Sequence, residues 1–140
     1  MNKKKTASLV TSIVLVVLGI AFSLTLRLVF HPCAAKEDGS YMNCHWAGEV
    51  CFLLAVTASV ISLAALLVGN GKLRAGLSLS LLPLMLATAL VPNVIIRMCM
   101  STEMRCHAIM RPAVIIFAIV IGLAALVATL LNWKGSEADA

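Results

Sequence analysis

The stretch AVIIFAIVIGLAALVATLL, residues 113–131, contains a single polar side chain, Thr129. A helix needs about 20 apolar residues to cross the hydrocarbon core of a bilayer, so this stretch predicts a transmembrane helix. Three further apolar runs have the same character and lie at residues 7–30, 47–68 and 77–96. Only helices and closed barrels satisfy their backbone polar groups in lipid, and no alternating pattern indicates a barrel. The sequence therefore predicts an all-α membrane protein with four transmembrane helices.

The composition supports a membrane protein and excludes several other classes. Of the 140 residues, 61% are apolar and 12% are charged, whereas a soluble domain has about a quarter charged residues. We therefore exclude a soluble enzyme and a disordered tail. The net charge of +5 comes from Lys and Arg scattered over the ends of the apolar runs, without the basic patch that nucleic acid requires. We expect one domain spanning residues 1–140, surrounded by the lipid bilayer and without a nucleic-acid partner.

The connections between the runs predict how the helices are arranged. The link Gly69–Arg74 between the second and third runs is short and rich in turn residues, so those helices are predicted to be antiparallel neighbours. This gives two antiparallel hairpins with two loops on the far side of the membrane. The lysines at residues 3–5 predict a cytoplasmic N-terminus, and four spans return the C-terminus to the same side. All five cysteines lie in or beside the two extracytoplasmic loops, where disulfides are stable.

The two extracytoplasmic loops share a motif. Each contains a cysteine followed by Met-x-Cys-His, at residues 42–45 and at residues 104–107. This pattern indicates either an internal duplication of a helix–loop–helix unit or convergence on one chemical need. Both hairpins would present the same chemistry on the same face of the membrane.

Disulfides are the first interpretation of the loop cysteines. Four cysteines permit three pairings, and we favour the local pairs Cys33–Cys44 and Cys99–Cys106, each of which would stabilise its loop by roughly 2–3 kcal/mol. A helix over residues 99–106 would separate its ends by roughly 10 Å, beyond the ~7 Å limit for a bridge. The second pair therefore requires a non-helical loop. Cys51 is left as a buried thiol that packs like a small apolar residue.

Two alternatives use the same residues for other chemistry. Cys44, His45, Cys106 and His107 form a possible set of ligands for copper or zinc, although neither loop has the usual spacing of a metal motif. A membrane thiol–disulfide oxidoreductase is the second alternative, but it needs a reactive, closely spaced cysteine pair. Oxidised cysteines would exclude thiolate ligation. The first interpretation therefore predicts no cofactor and no catalytic residue.

Small residues in the second and fourth runs predict close helix packing. In lipid, helices associate through small residues that allow their backbones to approach. Such residues recur at steps of three and four in the second run, and the fourth run has Gly122 within a shorter series. They are predicted either to pack inside the bundle or to dock against another membrane protein. The residues concerned are Gly48, Cys51, Ala55, Ala58, Ser62, Ala65 and Gly122.

Few ionisable residues lie within the predicted spans. Glu49 follows His45 by one helical turn, so the two side chains are predicted to pair. Arg27 is predicted to reach the membrane surface from the end of its helix. No series of charges outlines a path for ions or protons, so a transporter acting on its own is not expected.

The motifs also carry a resemblance. At Met42-Asn43-Cys44-His45-Trp46, at Met98-Cys99-Met100 and at Met104-Arg105-Cys106-His107-Ala108-Ile109-Met110-Arg111-Pro112, the chain resembles small four-helix bacterial membrane proteins known only as a domain of unknown function. This resemblance covers nearly the whole chain and implies a multi-pass protein of the bacterial cytoplasmic membrane. Genes for such proteins are often beside ABC transporters with MacB/FtsX-type permeases, which implies an accessory role with an ABC permease. It implies no enzymatic activity and no catalytic residue.

Overall fold

The protein is all-helical in the part of the chain that the structure, a computed structural model, describes. This part comprises residues 3–30, 34–97, 101 and 103–138, with the backbone alone for residues 4, 5 and 136–138. Two short π-helical turns, Val91–Ile95 and Cys106–Met110, follow the third helix and precede the fourth. The four long helices are α1 (Lys3–Leu28), α2 (Asn43–Leu67), α3 (Gly71–Leu90) and α4 (Arg111–Ala138).

Four segments are long and apolar enough to cross a membrane. Between 28% and 39% of each one is buried inside the protein, so most of their apolar surface faces outward, as expected of a protein surrounded by lipid. The prediction of an all-helical fold with four spans is confirmed. The segments are Thr6–Leu28, Asn43–Leu67, Gly71–Ile95 and Cys106–Gly135.

The helices pack in a ring that follows the chain order. Each helix contacts the next, and α1 contacts α4. Ser8 near the start of α1 bonds Asn132 near the end of α4, whereas Arg27 near the end of α1 bonds Glu49 near the start of α2. The pairs α1–α4 and α1–α2 are therefore antiparallel. We call the two ends of the bundle the Arg74 end, which holds the start of α1, and the Glu49 end.

The centre of the bundle combines a few large side chains with many small ones. Phe22 of α1 is 1% exposed and stacks on Phe117 of α4, with ring centroids 4.9 Å apart. Helices α1 and α2 approach most closely at Gly19. A Cβ at this glycine would lie 2.8 Å from Oγ and 3.2 Å from Cα of Ser59. Only glycine fits here without movement of the neighbouring backbone.

Several helix boundaries differ from those predicted. Helix α3 begins at Gly71 rather than at 77, because the Asn70 side chain accepts a hydrogen bond from the Lys72 amide at 3.2 Å and caps the helix. Helix α2 begins at Asn43 rather than at 47, and α4 continues to Ala138 rather than ending at 131. In each case the helix extends beyond its apolar run, since hydropathy marks only the part suited to lipid.

Candidate functional site

The polar side chains at the Arg74 end hold all four helices together. Arg74 of α3 donates from Nε to the Ala65 carbonyl at 2.9 Å and from Nη2 to the Val68 carbonyl at 2.7 Å. Ala65 lies in the last turn of α2 and Val68 is its C-terminal cap, and carbonyls at a helix C-terminus lack partners within their own helix. The guanidinium also donates from Nη1 to Ser8 Oγ at 3.2 Å. The Ser8 hydroxyl donates to Oδ1 of Asn132, which is 3% exposed.

The Glu49 end carries an ion pair between α1 and α2. Arg27 Nη1 lies 2.9 Å from Glu49 Oε1, and Nη2 lies 3.4 Å from Oε2. The guanidinium carbon also lies 4.3 Å from the centroid of the Phe52 ring, a distance at which a cation is attracted to an aromatic face. The predicted pairing of Glu49 with His45 is wrong. His45 stacks on Tyr41 instead, with centroids 4.2 Å apart.

A groove runs along the outside of the α1–α2 contact from this ion pair. Its volume is about 330 Å³, and Arg27 and Phe52 lie at its end. Ser23 and Ser59 line the groove and are half-buried, and Ser59 is the residue that Gly19 approaches. Its outer walls are apolar and are formed by Ile20, Leu24, Val56 and Val60.

The Met-x-Cys-His motifs lie in helical turns rather than in loops. Cys44 and His45 belong to the first turn of α2, and Cys106 and His107 open the second π-helical turn. The prediction that these four residues lie in loops is not confirmed, because α2 begins before its apolar run and a π-helical turn precedes α4. Cys44 is fully buried and Cys106 is 3% exposed. His31, Cys33 and Cys99 lie outside the described residues.

Each π-helical turn contains a polar atom that lacks a hydrogen-bond partner within the described part of the chain. In the first turn, Asn93 donates from Nδ2 to the Ala89 carbonyl at 3.0 Å, while its Oδ1 is buried without a donor. In the second turn, Nε2 of His107 lies 3.3 Å from Nη1 of Arg111. A guanidinium only donates, so this contact is a hydrogen bond in the tautomer whose Nε2 accepts and whose Nδ1 carries the proton. That Nδ1 is buried without an acceptor. Turns of this kind are frequent at functional sites.

The chain can be assigned to a family. The family model described as a domain of unknown function, DUF4418, matches residues 15–131. The chain belongs to this family. No curated protein and no solved structure matches it.

The stretch that matches the DUF4418 family includes both Met-x-Cys-His motifs, yet their geometry does not assemble a metal site within residues 3–30, 34–97, 101 and 103–138. No three His, Cys, Asp or Glu side chains converge there in a way that could hold an ion. The predicted set of Cys44, His45, Cys106 and His107 is not brought together as ligands. Among the described cysteines, no disulfide joins Cys44, Cys51 and Cys106 to one another.

The small residues predicted to pack lie in the interior of the bundle. Six of them are buried on one face of α2, while Gly122 of α4 is half-buried and faces Met85 of α3, with 3.9 Å between the two Cβ positions. The six are Gly48, Cys51, Ala55, Ala58, Ser62 and Ala65. Ser8, Arg74 and Asn132 were not singled out from the sequence. The position of Arg74, one turn after a capping Asn70 and next to a helix end, was the available signal for its role.

Proposed function

We propose that this DUF4418 protein is a small, non-catalytic accessory or structural subunit of a larger membrane complex. The outward face of α3 is the observation that supports this proposal most. Gly76, Ser80 and Pro83 are exposed there at steps of four and three, and a Cβ at Gly76 would meet no atom within 4 Å. Small exposed residues gain little from contact with lipid, but they allow another transmembrane helix to approach closely. Helix α3 is also the least apolar of the four spans.

The charged groups within the membrane-spanning segments support a role in assembly rather than in transport by this chain alone. Arg27, Glu49 and Arg74 lie in the membrane-spanning segments, and each of them bonds groups of this protein. An ionisable residue inside a membrane usually marks a functional pathway. Here these three residues tie helix ends together. We propose an ABC permease of the MacB/FtsX type as the partner, on the resemblance of the Cys-His motifs to small bacterial membrane proteins encoded beside such transporters.

The proposal is tested by purifying the complex from intact membranes in mild detergent. We expect the permease to copurify with the wild-type chain and to be lost with the double variant Gly76→Leu/Ser80→Leu, because two large side chains would hold the partner helix away. Thr57→Leu is the matched control, since Thr57 is an exposed small residue on another helix. A wild-type protein that emerges alone, or a double variant that retains the permease, contradicts the proposal.

The proposed setting is the bacterial cytoplasmic membrane, with both termini in the cytoplasm and the Glu49 end outside. In this orientation, disulfides Cys33–Cys44 and Cys99–Cys106 would brace the outer connections. Ser101, Glu103 and Met104 are not helical, which is the condition that the second bridge requires. Alkylation of the denatured, unreduced protein followed by intact mass should show one modified cysteine. Four or five modified cysteines contradict both bridges.

Soft-metal binding is the alternative proposal, and thiol–disulfide exchange is the second alternative. A copper or zinc site would need ligands from the undescribed His31, Cys33 or Cys99 in addition to the two Cys-His pairs. Replacing His45 and His107 together should then lower the bound metal, measured by elemental analysis, whereas an accessory subunit should retain its partner. An oxidoreductase should instead show redox turnover with a quinone.

A further inference from the structure

The groove between α1 and α2 differs from the rest of the outward-facing surface. Most exposed side chains on these helices are large and apolar, and they form a surface suited to any lipid chain. The groove is instead an open apolar channel, and Arg27 at one end of its lining forms the exposed ion pair with Glu49. It spans residues 20–27 of α1, which corresponds to roughly 10 Å of helix. It therefore runs from the membrane surface into the hydrocarbon region.

The ion pair at the end of the groove is accessible to a ligand. The side chains of Arg27 and Glu49 are 52% and 30% exposed. Their charges are opposite and adjacent, so the groove ends in a positive and a negative group side by side. A ligand with one charge would be attracted by one group and repelled by the other. A ligand with two adjacent opposite charges would be attracted by both.

We propose that the α1–α2 groove binds one phospholipid whose headgroup carries both a phosphate and a primary ammonium. The phosphate would lie against the Arg27 guanidinium and the ammonium against the Glu49 carboxylate. Each protein charge keeps its present partner and gains a second one. One acyl chain would occupy the channel between Leu24 and Val60.

The charge pattern favours this lipid over other occupants. An anionic lipid without an ammonium offers nothing to Glu49 and is repelled by it. A choline headgroup has the same charges, but its quaternary nitrogen has no hydrogen to donate to the carboxylate. A partner's helix is about 10 Å wide, so it would contact the groove walls without filling the channel. The site uses α1 and α2, whereas the proposed protein interface uses α3, so the two proposals are independent.

Native mass spectrometry of the purified full-length chain in detergent tests the proposal. Phosphatidylethanolamine, phosphatidylcholine and phosphatidylglycerol with identical acyl chains are titrated separately. We expect one ethanolamine lipid per chain, bound roughly five- to tenfold more tightly than the other two, because an exposed charge pair contributes little individually. Equal affinity for the three lipids, or no retained lipid, overturns the proposal.

Two variants separate the headgroup contact from the acyl-chain contact. Glu49→Gln should remove the preference for ethanolamine over choline, while Glu103→Gln, at another exposed carboxylate, should retain it. Val60→Trp fills the channel from a side chain that is 60% exposed, so it should lower lipid occupancy without entering the core. Leu53→Trp on the same helix, exposed but outside the groove, is its control. If the Val60→Trp variant bound as much lipid as the wild type, the proposed position of the acyl chain would be contradicted.

Discussion

Replacing Arg74 should cost more stability than replacing any other described cation at the Arg74 end. Its two shortest bonds reach the C-terminal end of α2, at 2.9 Å to the Ala65 carbonyl and 2.7 Å to the carbonyl of the cap residue Val68. A charge-assisted bond of this kind contributes about 1.5 kcal/mol, and a cation at a helix C-terminus adds about 0.5 kcal/mol. We therefore expect Arg74→Met to lower the free energy of unfolding by about 3.5 kcal/mol.

The loss can be measured by titrating the protein in mixed micelles with a denaturing detergent and following helix content. Arg74→Lys should lose about half as much, because lysine keeps the charge but not the planar set of donors. Lys72→Met is the control, since Lys72 is an exposed cation at the start of the same helix, and it should change stability by less than about 0.5 kcal/mol. If Arg74→Met and Lys72→Met were equally stable, the role of Arg74 in joining the helices would be refuted.

Three further changes can be checked by the same titration. Gly19→Ala should destabilise by about 1–3 kcal/mol through overpacking, since its Cβ would lie 2.8 Å from Ser59 Oγ. Adding Ser59→Ala, which removes that oxygen, should restore part of the lost stability. If the stability losses of the two single variants simply added in the double variant, the close approach would be contradicted. Phe22→Ala should cost about 3–5 kcal/mol, because Phe22 is 1% exposed and stacks on a ring of α4; a loss near zero would be inconsistent with that packing. Asn132→Leu should cost about 1–3 kcal/mol by leaving a buried hydroxyl without its acceptor, whereas Trp133→Leu, at the exposed neighbouring position, should cost little.

The number of spans could be predicted from the sequence because lipid leaves the backbone few alternatives. A run such as residues 113–131 must form a helix to satisfy its own polar groups. The helix ends were harder to predict from the sequence, since polar residues at the membrane surface continue a helix without contributing to its hydropathy. Gly71 begins α3 six residues before the apolar run predicted from 77. The side chain of Asn70 was a readable sign of that start, since asparagine is a preferred cap.

Contacts between helices could not be read from one sequence. The spacing of four positions on one helix predicts that Glu49 pairs with His45, but its partner is Arg27 on another helix. The bond between Ser8 and Asn132 joins residues 124 positions apart. Which side chains meet across a bundle depends on how each helix is rotated about its axis. Many small residues in α2 are compatible with more than one rotation, and the close approach at Gly19 becomes evident only when α1 and α2 are packed.

The two ends of the bundle are built in different ways, and the difference bears on where this protein acts. At the Arg74 end, the polar side chains of Ser8, Arg74 and Asn132 bond one another and the last carbonyls of α2. At the Glu49 end, Asn93 Oδ1 and His107 Nδ1 are buried without partners among the described residues. Each buried polar atom without a partner lowers the stability of the folded protein by about 1–3 kcal/mol. Both atoms lie in π-helical turns.

Stability alone would favour replacing these two side chains by apolar ones of similar size. Ser78 Oγ in α3 is a third buried atom without a partner among the described residues, but of the three only Asn93 and His107 lie in π-helical turns. Buried polar groups without partners make the folded state less favourable, as strained residues at sites that bind or rearrange commonly do. A partner contact that supplied a donor to Asn93 and an acceptor to His107 would recover that energy. Asn93→Leu and His107→Leu should therefore stabilise the isolated protein or leave it unchanged, while weakening its recovery with the permease. A stability loss above about 2 kcal/mol in the isolated protein would show instead that both side chains act within the bundle.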